Sequence, residues 1–123
     1  MPELSGIVVA EQLLSEILEK YADSPLRAEE MEGDLQRFLH LVQRSAMERT
    51  AFVAMFNEMV RGKRRSPEWL VAYCMRVLRW PEVREVADAE ARNASPATLS
   101  EAWDVVTAYG DDWSGSGLFR QVK

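Results

Sequence analysis

The sequence has very few of the residues that bind zinc or form disulfides. Its 123 residues include one cysteine, Cys74, and one histidine, His40. A single cysteine excludes an internal disulfide, and a structural zinc site needs about four cysteine or histidine ligands. A nucleophilic pair would need both side chains in one cleft. Because Cys74 falls on an apolar helical face between Leu70 and Leu78, we interpret it as a small buried side chain, and His40 as a surface or packing residue.

Long apolar runs are also missing. A transmembrane helix needs roughly 20 consecutive apolar residues, and no segment of the sequence approaches that length. The first residues do not resemble a signal peptide, since Glu3 stands where basic residues are expected and Glu11 interrupts the apolar stretch 7–10. Together with the single cysteine, these features predict a cytoplasmic protein that has no membrane partner.

Basic residues are outnumbered by acidic ones. The formal net charge is −5, and residues 1–62 carry six lysines and arginines against eleven aspartates and glutamates. Nucleic-acid affinity comes largely from Lys and Arg that neutralise phosphates, so this balance argues against a nucleic-acid partner. The basic cluster at 61–65 follows a predicted helix, where it suits contact with the carbonyl end of that helix. The overall charge favours a basic protein partner.

No motif of known enzyme chemistry occurs. There is no phosphate-binding glycine loop, no dinucleotide fingerprint and no HExxH sequence, so we expect neither a cofactor nor catalysis. Carboxylates crowd residues 29–34, but they lack the spacing of a calcium-binding loop. Acidic residues near the start of a helix are also favoured by its positive N-terminal end, which makes a solvated cap the simpler interpretation.

Apolar residues recur with helical spacing along the chain. The first such face consists of Ala10, Leu13, Leu14, Ile17, Leu18 and Tyr21, with Ser5 as the candidate N-cap. Comparable faces follow in 35–60, 70–78, 83–87 and 99–109, and no β-alternation appears. We therefore predict an all-α fold, a compact bundle of five or six helices with no sheet. Residues 1–110 are predicted to form a single helical domain, and 111–123 a C-terminal tail or docked extension.

Serine, proline and glycine mark the predicted helix boundaries. Ser-Pro pairs at 24, 66 and 95, together with Pro81, predict helix starts. Gly62 predicts a helix end, and Gly33 predicts an interruption or a delayed start. No glycine or proline lies between Asp34 and Arg61, so the sequence allows either one long helix or two helices that break near 44–47.

The tryptophans divide between packing and contact roles. Trp103 falls on the predicted core face of the last helix, and Trp80 precedes Pro81 at a helix junction, so both are interpreted as structural. Trp113 has two interpretations. Flanked by Asp111 and Asp112, it suits contact with a basic partner surface; alternatively, it folds back with Leu118 and Phe119 to close the core.

Three stretches carry a resemblance to other proteins: SPEWL at 66–70, LRWPEV at 78–83 and YGDDW at 109–113. They resemble small helical bacterial proteins, some of which serve as immunity partners in polymorphic or contact-dependent toxin systems. The resemblance covers the C-terminal half of the chain and includes no motif of known chemistry. It implies a protein that binds a toxin domain and blocks its active site.

The leading hypothesis is therefore a non-catalytic protein-binding module, an immunity protein whose partner is a basic toxin domain. Candidate partner-binding residues are the exposed acids and the aromatic beside them: Glu29, Glu30, Glu32, Asp34, Asp111, Asp112 and Trp113. One alternative is a structural or adaptor protein that forms a homodimer through the apolar face of Met55, Phe56, Met59 and Val60. Another is a metal-dependent enzyme that uses Glu30 and Asp34.

Overall fold

The structure is a computed structural model. It describes residues 5–21, 28–67, 69–93, 96–110, 113 and 119, and at 28–30 and 96–101 it describes the backbone alone. The helices, in chain order, are α1 (Gly6–Lys20), α2 (Ala28–Arg44), a 3-10 turn (Ala46–Glu48), α3 (Arg49–Val60), α4 (Leu70–Leu78), α5 (Pro81–Asn93) and α6 (Pro96–Ala108). These ranges contain six α-helices and no β-strand, so the predicted all-α bundle of five or six helices is confirmed. None of these helices combines the length and the apolarity needed to cross a bilayer.

The long central segment forms two helices. α2 ends at Arg44, and the Ser45 hydroxyl donates a hydrogen bond to the Leu41 carbonyl at 2.7 Å, so the chain turns within the predicted 44–47 interval. The prediction for Gly33 was wrong, because α2 begins at Ala28 and runs straight through this glycine. Buried Met31 and Leu35 flank Gly33, and their packing outweighs its low helix propensity.

The proline-based helix starts are confirmed in two places and wrong in a third. α5 begins at Pro81 and α6 at Pro96, as predicted. α4 does not begin at Ser66 but at Leu70, because Trp69 adopts a left-handed conformation with φ 69°. The N-cap position of α4 is therefore Trp69, and the Ser66 hydroxyl donates a hydrogen bond to the Pro67 carbonyl at 3.0 Å. The Ser24-Pro25 start lies outside the described residues.

Aromatic edges meet in the centre of the core. Phe38 of α2 packs edge-to-face against Phe52 and Phe56 of α3, with ring centroids 6.5 and 6.1 Å apart. Phe56 in turn packs against Trp80 at 5.9 Å. Such pairs add about 0.5–1.5 kcal/mol each to the burial of apolar area. The structural role predicted for Trp80 is therefore confirmed.

α6 packs against both α4 and α5, and α3 packs against α5. Arg49 links α3 to α5, because its guanidinium donates two hydrogen bonds to the carboxylate of Glu82 in α5, at 2.7 and 2.8 Å. The same guanidinium lies over the Trp80 ring, 4.8 Å from its centroid.

The prediction that Trp103 packs in the core was wrong. Its side chain is 57% exposed, whereas Ala102, Val105 and Ala108 are fully buried. Two of these buried residues are alanines, which let the backbone of α6 approach α4 and α5 closely. Trp103 lies outside the face formed by residues 102, 105 and 108, so its ring is left toward solvent.

Candidate functional site

A groove runs between α1 and α2. It has a volume of about 620 Å³ and lies open to solvent. Its lining repeats every three or four residues on each helix: Val9, Gln12, Leu13 and Glu16 from α1, and Arg37, His40, Leu41, Gln43 and Arg44 from α2. Because residues at this spacing share one helical face, each helix presents one wall of the groove.

The two walls run antiparallel. At one end, Lys20 donates a hydrogen bond to Asp34 Oδ2 at 3.0 Å, which joins the end of α1 to the first half of α2. At the other end, Gly6 at the start of α1 donates to Glu48, just past the end of α2. The groove therefore has distinct ends, one near Glu16 and one near Arg44.

The floor of the groove is apolar and its rim is polar. Leu13 and Leu41 are each 8% exposed, and Val9 beside them is partly buried. The rim carries two charges, Glu16 and Arg44, for which the described residues provide no ion-pair partner. Arg37 differs, because its guanidinium lies 3.5 Å from Asp34 Oδ1. An apolar floor with a few polar groups at its margin is typical of surfaces that bind protein segments.

A second cavity continues the groove past the start of α1. Its volume is about 580 Å³, and it shares Val9, Leu41 and Arg44 with the first. Met47, in the 3-10 turn, lines it and is 99% exposed. The apolar surface between α1 and α2 therefore extends to the corner where α2 ends.

Close backbone contact fixes this corner. The first residue of α1, Gly6, has no side chain, and a Cβ atom there would lie 2.6 Å from Ser45 Cβ and 2.7 Å from Glu48 Oε2. Glu48 accepts the Gly6 hydrogen bond at 2.6 Å and one from Ile7 at 3.1 Å. The Ser5 hydroxyl accepts a third, from Val8 at 3.4 Å, so its predicted N-cap role is confirmed.

Asp34, predicted to face a partner, instead lies at the junction of α1 and α2. It is 8% exposed and accepts hydrogen bonds from Tyr21 at 2.8 Å and from Lys20 at 3.0 Å. Burial raises the pKa of this carboxyl, but the hydrogen bonds and the charges of Lys20 and Arg37 outweigh it, so the pKa lies below its ordinary 3.8. Asp34 therefore connects two helices and offers little surface to a partner.

Glu32 also lies inside the protein. It is 7% exposed, and its Oε2 atom accepts a hydrogen bond from the Tyr73 hydroxyl at 3.0 Å. Burial and the neighbouring Glu32 carboxylate raise the pKa of Tyr73, which keeps the phenol protonated as the donor. The pair joins α2 to α4, so the expected surface role does not fit Glu32.

Trp113 packs inside as well, which agrees with the folded-back alternative. It is 2% exposed and stacks on Phe119 with centroids 5.7 Å apart. The Phe119 ring also packs edge-to-face against the rings of Tyr73 and Trp69, with centroids 5.0 and 5.9 Å apart. The Arg76 guanidinium lies 5.4 Å from the Trp113 ring centroid. Trp113 therefore belongs to the core and presents almost no surface to a partner.

The other predicted contact residues cannot be placed in the same way. Asp111 and Asp112 lie outside the described residues, and so do the side chains of Glu29 and Glu30, although their backbone belongs to α2. Their predicted role in partner binding stays a prediction.

Cys74 and His40 lie in different environments. Cys74 is fully buried in α4, as predicted, and burial raises the pKa of its thiol. His40 is exposed on the wall of the α1–α2 groove. Within the part of the chain that the structure describes, no three His, Cys, Asp or Glu side chains come together as metal ligands.

The apolar face proposed for self-association is already used inside the monomer. Met55, Phe56, Met59 and Val60 are each at most 3% exposed. Because these side chains form part of the core, a homodimer would need a different surface.

Sequence reasoning missed the groove, although part of its signal was present. Leu41 lies one turn after Arg37 and one turn before Ser45, outside the face that the sequence marked as core. The available signal was Leu41 itself, an apolar residue that lies beside His40 and Arg44 on the polar side of the predicted helix. The pairing of α1 with α2 that creates the groove depends on tertiary contacts.

Comparisons with protein-family models, with curated proteins and with solved structures found no match for this chain.

Proposed function

We propose that this chain is a non-catalytic protein-binding module of the cytoplasm, and that it neutralises a toxin domain as immunity proteins do. The observation that carries the proposal is the open α1–α2 groove, with its apolar floor and its charged residues Glu16 and Arg44, neither of which has an ion-pair partner among the described residues. Grooves between two helices commonly receive a segment of another protein.

The charge of the chain supports a basic partner. The net charge of −5 attracts a basic domain from a distance and speeds its association. Glu16 and Glu19 are exposed on α1, and neither has a partner among the residues that the structure describes. A toxin domain that attacks nucleic acid would offer complementary arginines and lysines.

Co-expression with the product of the neighbouring gene tests this function. We expect that product to be toxic alone, to be tolerated when this chain is present, and to co-purify with it. If the product is neither toxic nor bound, the immunity proposal fails. A stable homodimer in light scattering, with no bound toxin, would instead favour a self-associating adaptor.

Steric variants test whether the groove is the contact surface. Gln12 is exposed on the groove wall, so Gln12→Trp should block the groove and abolish both complex and protection. Ser15 is exposed on the same helix but does not line the groove, so Ser15→Trp should leave both intact. Circular dichroism melts should show that both variants fold.

A further inference from the structure

We infer that the α1–α2 groove receives a single amphipathic helix of the partner, oriented with a basic side chain against Glu16 and an acidic side chain against Arg44. The inference rests on the proposed function, because it names the part of the partner that binds. It goes further by specifying the pattern and the direction of that part.

The length of the groove fits two turns of helix. Its α1 wall runs from Val9 to Glu16, a rise of seven residue steps, which corresponds to about 10 Å at 1.5 Å per residue. The adjoining cavity at Met47 extends the same path beyond the start of α1. A docked helix would therefore contact the groove through side chains spaced three, four and seven residues apart.

The floor sets where the apolar residues of the partner must lie. Leu13 and Leu41 lie between the two charges and are the main apolar surface at the base. Apolar side chains on the partner, one turn after its basic residue, would cover them. The partner helix should therefore carry a basic residue, apolar residues three and four positions after it, and an acidic residue seven positions after it.

The charges set the direction. Because α1 and α2 are antiparallel, Glu16 and Arg44 lie at opposite ends of the groove, and each lacks an ion pair within the described ranges. Arg37 near the Glu16 end is held by Asp34, which leaves Glu16 as the available charge there. The dipole of a docked helix favours its N-terminus at Glu16 and its C-terminus at Arg44. The basic residue should therefore precede the acidic residue in the partner sequence.

Two synthetic peptides of identical composition test the pattern. Both are constrained helices of about 16 residues with two central leucines, long enough for the two turns required. The forward peptide places lysine before and glutamate after the leucines, and the reverse peptide exchanges the two. Both peptides also carry a third leucine one turn after the last charged residue, which reaches the Met47 cavity only when the C-terminus of the peptide lies at the Arg44 end. Fluorescence anisotropy at low salt should show the forward peptide binding about tenfold more tightly, because in that direction it forms both ion pairs, whereas the reverse peptide meets two like charges.

A charge-exchanged protein supplies the decisive comparison. In the double variant Glu16→Arg with Arg44→Glu, the preference should reverse, so that the reverse peptide binds about tenfold more tightly. The matched control is Glu19→Arg with Arg61→Glu, which changes exposed charges that do not line the groove and keeps the same net charge. That control should prefer the forward peptide as the parent does.

The outcomes separate this inference from the proposed function. Absence of binding by both peptides, equal binding of the two, or a reversed preference in the control would each overturn the inference. A toxin complex that forms and survives the Glu16 and Arg44 exchange would overturn it as well, while the immunity function would stand. Peptide binding with the expected reversal, combined with a neighbouring product that is neither toxic nor bound, would reject the immunity function alone.

Discussion

The carboxylate of Glu48 lies against the first turn of α1, where its Oε2 atom accepts a hydrogen bond from the backbone N–H of Gly6 at 2.6 Å. A second bond from Ile7 reaches Oε1 at 3.1 Å. The first N–H groups of a helix have no partner within it, and a negative charge there opposes the positive end of the helix dipole. A residue 42 positions away thus caps α1 and holds one end of the groove.

Glu48→Ala should lower the free energy of unfolding by about 1–2 kcal/mol, because two helix N–H groups lose a charged acceptor. Urea denaturation followed by circular dichroism measures the change. Glu58→Ala is the matched control, since Glu58 is exposed on α3 and its carboxylate has no partner in the described structure. It should change stability by less than about 0.5 kcal/mol. Equal effects of the two variants would contradict the cap.

The same substitution at two helical glycines should have opposite effects. Alanine normally favours a helix over glycine by about 1 kcal/mol. At Gly33 no atom of the residues that the structure describes lies within 4 Å of an added Cβ atom, so Gly33→Ala should stabilise the protein by about 0.5–1 kcal/mol. At Gly6 the added atom would meet Ser45 Cβ at 2.6 Å, so Gly6→Ala should destabilise it by about 1–3 kcal/mol. Thermal melts of both variants should move in opposite directions; a stabilised Gly6→Ala protein would show that the corner is loosely packed.

Asp34 should make the stability depend on pH. The hydrogen bonds from Tyr21 and Lys20 hold its folded-state pKa below the ordinary 3.8, so the ionised carboxylate favours the folded protein. This contribution is complete above the unfolded-state pKa and disappears as the pH falls through the lower folded-state value. Asp34→Asn should therefore lower the free energy of unfolding at pH 7 by about 1–2 kcal/mol.

Urea titrations of the parent and Asp34→Asn proteins from about pH 7 to pH 2 should show the difference shrinking below about pH 4. Glu19→Gln serves as the control, because Glu19 is exposed on α1 and has no partner among the residues placed by the structure. Its stability difference from the parent should stay small throughout. A constant penalty for Asp34→Asn across the titration would exclude the ionised carboxylate as its cause.

Two aromatic residues near the C-terminal end should differ sharply when truncated to alanine. Phe119 is 3% exposed and contacts three aromatic rings, so Phe119→Ala should cost about 3–5 kcal/mol. Trp103 is 57% exposed, so Trp103→Ala should cost less than about 1 kcal/mol despite the larger ring. Chemical denaturation gives both values. Similar costs would mean that Phe119 does not pack against the core in solution.

The helices were largely predictable from the sequence, because apolar periodicity is a local property of the chain. The face of α1 and the starts at Pro81 and Pro96 follow directly from residue spacing and from the fixed φ of proline. The start of α4 was not predictable in this way. Trp69 adopts φ 69°, and its ring packs on Phe119, 50 positions further along the chain, so a tertiary contact accompanies the shifted boundary.

The candidate site was much less predictable than the helices. A cluster of carboxylates at 29–34 reads as surface charge, but hydrogen-bond donors from other helices cover two of its members: Tyr73 covers Glu32, and Lys20 and Tyr21 cover Asp34. Burial of a carboxylate depends on whether such donors reach it, and sequence spacing carries no information about donors on distant elements.

The sequence by itself determined an acidic, all-α chain in which each helix has one apolar face, because charge and periodicity are properties of residues and their neighbours. The tertiary structure alone decided which faces meet. The antiparallel contact of α1 with α2, held by Glu48 at one end and Asp34 at the other, leaves Glu16 and Arg44 facing solvent across an apolar floor. That arrangement arises from backbone approach and hydrogen bonds between residues far apart in the chain, which no local pattern encodes.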